Sequence, residues 1–328
     1  MKKTNTVGLM KKKNKIYFLG SGKIAVPVLN RLVWSDRIEL LGIGTQLDRP
    51  AGRKKKLHPT PIGEFAHASG LHIDKIPSVN AEDFLDYLRW LAPDFIVVVS
   101  FGQLLKQPLL DLPKISCVNV HASLLPRYRG ASPIAAAIVN HDASTGVSFM
   151  KMDRGLDTGP VYCSYEYVLS GSERADWLEE ALGRQASDKM VGVLEKVVKN
   201  KDSAVLQDSK HATITKKIHK GDGIIDWNLP AADIEARVRG YYPWPGAAFT
   251  LHAHNRQITV RVTSASVHAL LSGKPGEVLQ ADKKSWIIGC GANALELLTV
   301  VPQDKKEMRG IDFLNGCHLE KGIIVGGE

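Results

Sequence analysis

The chain has 328 residues, of which 44% are hydrophobic and 23% charged; this is the composition of a globular protein, and the length suits two domains rather than one small core. No run reaches the roughly 20 apolar residues that a membrane-spanning helix needs, which excludes a helical membrane protein. The 43 Lys and Arg against 34 Asp and Glu leave a net charge of +9, a balance that favours polyanionic partners without specifying one.

In chain order, MKKTNTVGLMKKKNK reads as a disordered basic tail over 1–14, with Met10 an alternative start. The apolar run that follows it, Ile16–Leu19, is too short for the core of a signal peptide. IYFLG (16–20) predicts a buried strand, and IAVPVLNRLV a helix whose Pro27 belongs in its first turn. ELLGIGTQ (39–46) is the second strand, PIGEFAHASG a short helix, and LHIDKIP (71–77) a third strand. NAEDFLDYLRWLAP predicts a helix capped by Asn80, apolar at Phe84, Leu88 and Leu91, and stopped by Pro93.

DFIVVVSFG (94–102) is β-branched and apolar on both faces, as a central parallel strand would be. ISCVNVHAS, TGVSFMKMD and GPVYCSYEYVL predict further strands, with an Ala-rich helix at GASPIAAAIVNHD. A long helix is expected over Glu173–Lys199, with Leu178, Leu182, Leu194 and Val197 near helical spacing. The alternation predicts an α/β domain over 15–200, a Rossmann-like open, mostly parallel sheet with helices on both faces. Residues 201–222 are polar and aperiodic, as a linker is. Over 223–328 short strands and turns, interrupted early by the helix AADIEARVRG, predict a small β-barrel.

Four segments bear on chemistry. GSGKIA (20–25) satisfies a dinucleotide-binding fingerprint between a strand and a helix. That reading needs an acid at the end of the second strand, where Thr45-Gln46 stand instead, so a tight turn for close packing is the better reading. TQLDRPAGRKKKLHPTP (45–61) concentrates Arg49, Arg53, Lys54, Lys55 and Lys56 after a strand of the parallel sheet. A charge run is ordinarily a solvated loop, but loops at strand carboxyl ends line the binding crevice of such folds, and this one suits phosphates.

Asn119 and His121 have the same parity on one strand, so their side chains share a face. With Asp157 of MDRGLDTGP they make a coherent set: a carboxylate to orient the ring, an imidazole to move a proton, and an amide to stabilise an oxyanion. The bland alternative is a hydrogen-bonded structural His and a good turn. The DTG triplet lacks the second copy and the β-rich fold of an aspartic protease. PWPG (243–246), with Tyr241 and Tyr242, reads as a structural turn. The four cysteines stand in no C-x-x-C spacing, which argues against a zinc or redox pair and fits a reducing compartment.

Taken together, TQLDRPAGRKKKL, VNVHASLLPRYRGASPI, TGVSFMKMDRGLDTGP, ATITKKI, IDW and YYPWPGA resemble the methionyl-tRNA formyltransferase family from about Ile16 onward. The resemblance implies a formyl-transfer domain followed by an OB-fold-like β-barrel that contacts tRNA. It implies transfer of formyl from 10-formyltetrahydrofolate, without a metal, to the α-amino group of initiator methionyl-tRNA. Asn119, His121 and Asp157 match the family's catalytic residues. Ser123, Leu124, Leu125 and Pro126 match its folate-site SLLP, and Phe101, Gln103, Leu104, Leu105 and Asp153 lie in the segments matching its pterin site. Arg49, Arg53, Lys54, Lys55 and Lys56 match the loop that approaches the acceptor stem. A cytoplasmic monomer is expected. Two positions depart from the pattern: Ile24 stands where an aromatic is usual, and Leu47 replaces a usual Pro. The alternatives are a formyltransferase acting on a sugar nucleotide or on glycinamide ribonucleotide, and a non-catalytic RNA-binding protein of the same fold.

Overall fold

The computed structural model describes residues 12–51, 56–253, 256–317 and 319–326. The chain divides into two compact units, each discontinuous in sequence. The first comprises the chain up to Arg129, Gly146–Tyr167 and Glu179–Thr213; the second comprises Gly130–Thr145, Val168–Leu178 and the chain from Ile214 onward.

The first unit is built on a seven-stranded sheet. Its order runs Val161–Val168, Ser144–Lys151, Ser116–His121, Phe95–Val99, Asn14–Gly20, Ile38–Thr45 and Asp74–Lys75. Phe95–Val99 pairs in parallel on both sides and is buried at all five positions, which is why it carries no polar residue. The ladder from Ser116–His121 to Asp74–Lys75 is parallel throughout. Ser144–Lys151 runs antiparallel to Ser116–His121, so the sheet is mostly parallel, as the alternation predicts.

The sequence reverses direction across the sheet between Asn14–Gly20 and Phe95–Val99, and ligands of open α/β sheets bind beyond the carboxyl ends at such a switch. Gly22 sits there. Its backbone N–H donates to Ser100 O at 3.1 Å, and a Cβ would fall 2.3 Å from Ser100 Oγ. At the start of helix Ala25–Val33, Glu179 Oε1 accepts from Ile24 N at 3.3 Å. A protein carboxylate thus stands at the helix terminus where a bound pyrophosphate would lie. GSGKIA is a packing turn.

Several sequence expectations change. The strand expected over 71–77 is reduced to Asp74–Lys75. Helix Glu82–Leu91 is not capped by Asn80; Ala81 holds the cap position without a side-chain bond. Asn80 instead braces a remote loop, donating to Leu104 O and accepting from Lys106 N, each at 2.8 Å. The long helix spans Ala175–Lys199, and the four leucine and valine positions read from its period are buried.

In the second unit, strands Ala247–Ala253, Arg256–His268, Ala294–Pro302, Trp286–Gly289 and Val278–Ala281 form, in that order, a curled antiparallel half-barrel, with Met308–Arg309 on Ala294–Pro302. Trp286 is fully buried at its centre, edge-on to Phe249 and stacked on Phe313 with ring centroids 5.5 Å apart. Phe313 belongs to a helix, Gly310–Cys317, that the sequence did not disclose. Helix Pro133–Val139 packs on helix Ala231–Gly240 within this unit. Gly240 makes the close approach possible, since a Cβ there would meet Val139 Cγ2 at 2.8 Å.

Candidate active site

Strand Ser116–His121 delivers two polar side chains to one face. Asn119 pairs in register with Val98 and Met150, and His121 with Ser148. Among the described residues the half-buried Asn119 amide makes no hydrogen bond, so its donors are open to a ligand. His121 is 6% exposed. Its Nε2 lies 2.8 Å from Tyr128 O, and because a carbonyl only accepts, Nε2 carries a proton. Its Nδ1 lies 3.6 Å from Asp157 Oδ2. Each ring nitrogen therefore faces an oxygen, an arrangement in which the imidazole can take up a proton at Nδ1 and give it back.

Asp157 reaches the ring from the turn between strands Ser144–Lys151 and Val161–Val168, in a left-handed backbone conformation of φ 54°. Asp153 shapes the same turn, its Oδ1 accepting from Gly155 N at 3.0 Å and from Thr158 Oγ1 at 2.7 Å. The sequence proposed the set Asn119, His121 and Asp157. The structure sets the last two side by side and Asn119 two residues before the imidazole on the same strand face.

The residues matched to the folate site divide by role. Ser123 is fully buried and donates to Arg127 O at 2.6 Å. Ser148 Oγ ties this loop to the sheet, donating to Ser123 O at 2.7 Å and accepting from Leu125 N at 3.0 Å. Leu124, Leu125 and Pro126 are half-buried, and the Leu125–Pro126 bond is cis. Phe101 and Leu105 point into the core. Gln103 is committed to the protein: its Oε1 accepts from Val79 N at 2.8 Å and its Nε2 donates to Ile76 O at 3.2 Å. Of the four matched residues in that segment, Leu104 is the exposed one, at 61%. Leu156 is likewise exposed on the Asp157 turn, and Arg154 Nε, donating to Gln107 Oε1 at 2.7 Å, joins the two segments.

The basic loop leaves the carboxyl end of Ile38–Thr45, on the same sheet edge as His121. Its flanks pair as Arg49–Ala51 with Lys56–His58. Arg49 donates to Gln46 Oε1, and Lys56 is exposed. Arg53, Lys54 and Lys55 lie outside the described residues.

Two residues escape the sequence reading. Gln207, in the stretch read as a linker, donates through Nε2 to Asp157 O at 2.8 Å and Gly159 O at 2.7 Å. Thr213 Oγ1 accepts from Tyr128 N at 2.8 Å. Thr213 lies in ATITKKI, which carried part of the resemblance; Gln207 gave no local signal. Among the described residues, no group of three His, Cys, Asp or Glu could hold a metal ion, and no helix is long and apolar enough to cross a membrane.

Residues 14–194 match the formyl transferase family, and 217–318 match the formyl transferase C-terminal domain. The chain is 37% identical over 311 residues to a methionyl-tRNA formyltransferase of Geobacter metallireducens, covering 95% of this chain and 98% of that one. Among solved structures it resembles a methionyl-tRNA formyltransferase from Clostridium thermocellum, with a TM-score of 0.54 at 12% identity over 90% of this chain and all of that one. It also resembles HypX from Aquifex aeolicus in complex with tetrahydrofolic acid, with a TM-score of 0.62 at 15% identity, covering 95% of this chain and 50% of that one.

Proposed function

Because this chain belongs to the methionyl-tRNA formyltransferase family, we propose that it transfers a formyl group from 10-formyltetrahydrofolate to the α-amino group of initiator methionyl-tRNA. The observation that carries the reading is the His121–Asp157 pair, 3.6 Å apart, in a chain with that ancestry along nearly its whole length. The fit of a folate rests on this protein's own surface. The Asn119 donors are uncommitted among the described residues, and Leu104 and Leu156 offer apolar surface on two segments joined by Arg154 and Gln107. Leu124, Leu125 and Pro126 add half-buried apolar side chains on the loop that follows His121. When bound, the folate supplies the formyl carbon.

The protein's part is to bind, orient and move protons. An α-amino group titrates near pH 8, so a neutral, nucleophilic fraction exists at physiological pH. As it attacks, negative charge grows on the formyl oxygen, and the Asn119 amide donates to it. His121 takes the proton released by the amine at Nδ1, the only ring nitrogen not already bearing one, and passes it toward the leaving nitrogen. The Tyr128 carbonyl holds the ring through Nε2, and the Asp157 carboxylate stabilises the imidazolium once Nδ1 carries the proton. No step requires a Lewis acid.

We assign catalysis to the domain over 15–200, linkage to 201–222 and tRNA contact to 223–328. Arg49, Arg53, Lys54, Lys55 and Lys56 supply the charge that meets the acceptor stem. A small substrate does not need such a loop, which favours tRNA over a sugar nucleotide. The enzyme is assigned to the cytoplasm as a monomer. The test is to mix purified protein with 10-formyltetrahydrofolate and charged initiator tRNA and look for formyl-methionine. Formylation of an amino sugar nucleotide instead would move the substrate, and tRNA binding without transfer would end the enzymatic reading.

A further inference from the structure

The two oxygens that flank the His121 ring both come from strained backbone. Tyr128, whose carbonyl accepts from Nε2, has φ 58°, and Asp157 has φ 54°. Non-glycine residues hold that conformation only where their surroundings over-determine it. Here one stretch, Gln207–Thr213, supports both. The Gln207 amide donates to Asp157 O and Gly159 O and accepts from Arg129 Nε at 3.0 Å and Nη2 at 2.9 Å. Its orientation is fixed, because carbonyls only accept and a guanidinium only donates. Thr213 grips the other turn with three bonds. Its Oγ1 accepts from Tyr128 N, its carbonyl accepts from Arg129 N at 2.9 Å, and its own N–H donates to Pro126 O at 3.3 Å. Arg129, 8% exposed, stands between the two grips.

We infer that Gln207 and Thr213 are positioning residues for formyl transfer, holding the turns that present Asp157 and Tyr128 to His121. The inference rests on the proposed formyl-transfer function. Neither side chain touches the imidazole; each acts through the backbone it holds. Gln207→Leu removes every bond the amide makes. Gln207→Glu keeps an acceptor for Arg129 but loses both donors and sets a carboxylate against two carbonyls. Thr213→Val loses the Oγ1 acceptor at nearly constant shape, and Thr213→Ser keeps it.

The experiment measures steady-state formylation by the full-length variants, with thermal melts alongside. Misplacing a catalytic group by about 1 Å costs up to roughly 100-fold. We expect kcat to fall on the order of 10- to 100-fold in Gln207→Leu and Gln207→Glu, with KM for methionyl-tRNA and for the formyl donor within about twofold. Thr213→Val should lose on the order of 10-fold in kcat, and Thr213→Ser should regain it. Should Gln207→Leu fail to fold, Gln207→Glu and the Thr213 pair decide. Wild-type kcat in folded Gln207→Glu, or equal losses in Thr213→Val and Thr213→Ser, would overturn the inference while leaving the activity intact. A wild-type protein that forms no formyl-methionine would overturn the proposed function itself.

Discussion

Gly159→Ala tests whether the Asp157 turn sets the rate. A Cβ at this position would lie 1.9 Å from Lys151 O, whereas real Cβ contacts stop near 3.0 Å. Lys151 ends a strand held in register, opposite Val118, and it cannot easily yield. The turn must therefore retreat by about 1 Å, and Gly159 O, which accepts from Gln207, moves with it. Overpacking of this kind costs about 1–3 kcal/mol of stability, but a displacement of about 1 Å at a reacting group costs on the order of 100-fold in rate. Formylation assayed at saturating donor and tRNA should show kcat reduced on the order of 100-fold in a protein that still melts cooperatively. Gly192→Ala is the matched control. It lies exposed in the long helix, with nothing within 4 Å of an added Cβ, and should gain about 0.5–1 kcal/mol of stability at unchanged kcat. Wild-type turnover in Gly159→Ala would refute the claim that this turn must stay where it is.

Other outcomes follow from the same structure. Asn119→Ala should lower kcat on the order of 100-fold while leaving tRNA affinity unchanged in a filter-binding assay; weakened binding with normal turnover per complex would contradict its role. Replacing Lys54, Lys55 and Lys56 by Ser should raise KM for tRNA and flatten its salt dependence by about one slope unit per lost phosphate contact, and an unchanged slope would return the loop to solvent. Burial, and then its 2.6 Å bond to Asp74, push the Tyr17 hydroxyl well above the usual tyrosine range. The folded state thus favours the neutral phenol, so this contribution is complete below about pH 10 and is lost as pH rises above it. Denaturant titrations should show that loss, and Tyr17→Phe should flatten the alkaline limb. Burial raises the thiol of Cys117 above its usual range and pushes that of Cys290 up to about 12. Neither should react with a maleimide at pH 7 in the folded protein, and both should do so in denaturant.

The parts of this molecule that could be read in advance are those whose partners are local or periodic. Phe95–Val99 had to be central because both of its faces are apolar. Asn119 and His121 had to share a face because strand parity is two. Local signals fail where a residue's partners are far away. Asn80 looks like a helix cap, but its amide is engaged 24 and 26 residues on, at Leu104 and Lys106. Gln207 sits in a polar, aperiodic stretch, yet its three bonded neighbours are 48 to 78 residues away. Helix Gly310–Cys317 begins on one glycine and carries another at Gly316, and it owes its place to Phe313 stacking on Trp286 rather than to intrinsic propensity. The convergence of Asp157 on His121 could not be read in this way: Ser144–Lys151 ends opposite Val118, three residues before His121, and the turn that follows folds back to the imidazole, a path no local pattern announces.

Helix Pro133–Val139 leaves the ribosome long before the surface that covers it. Its close neighbour, Gly240 of helix Ala231–Gly240, is made about a hundred residues later, which at cellular synthesis rates of about 5–20 residues per second is a delay of roughly 5–20 seconds. Through that interval Ile138 and Val139 lack their mate on a nascent chain, and any guardian of half-made polypeptides would find them there.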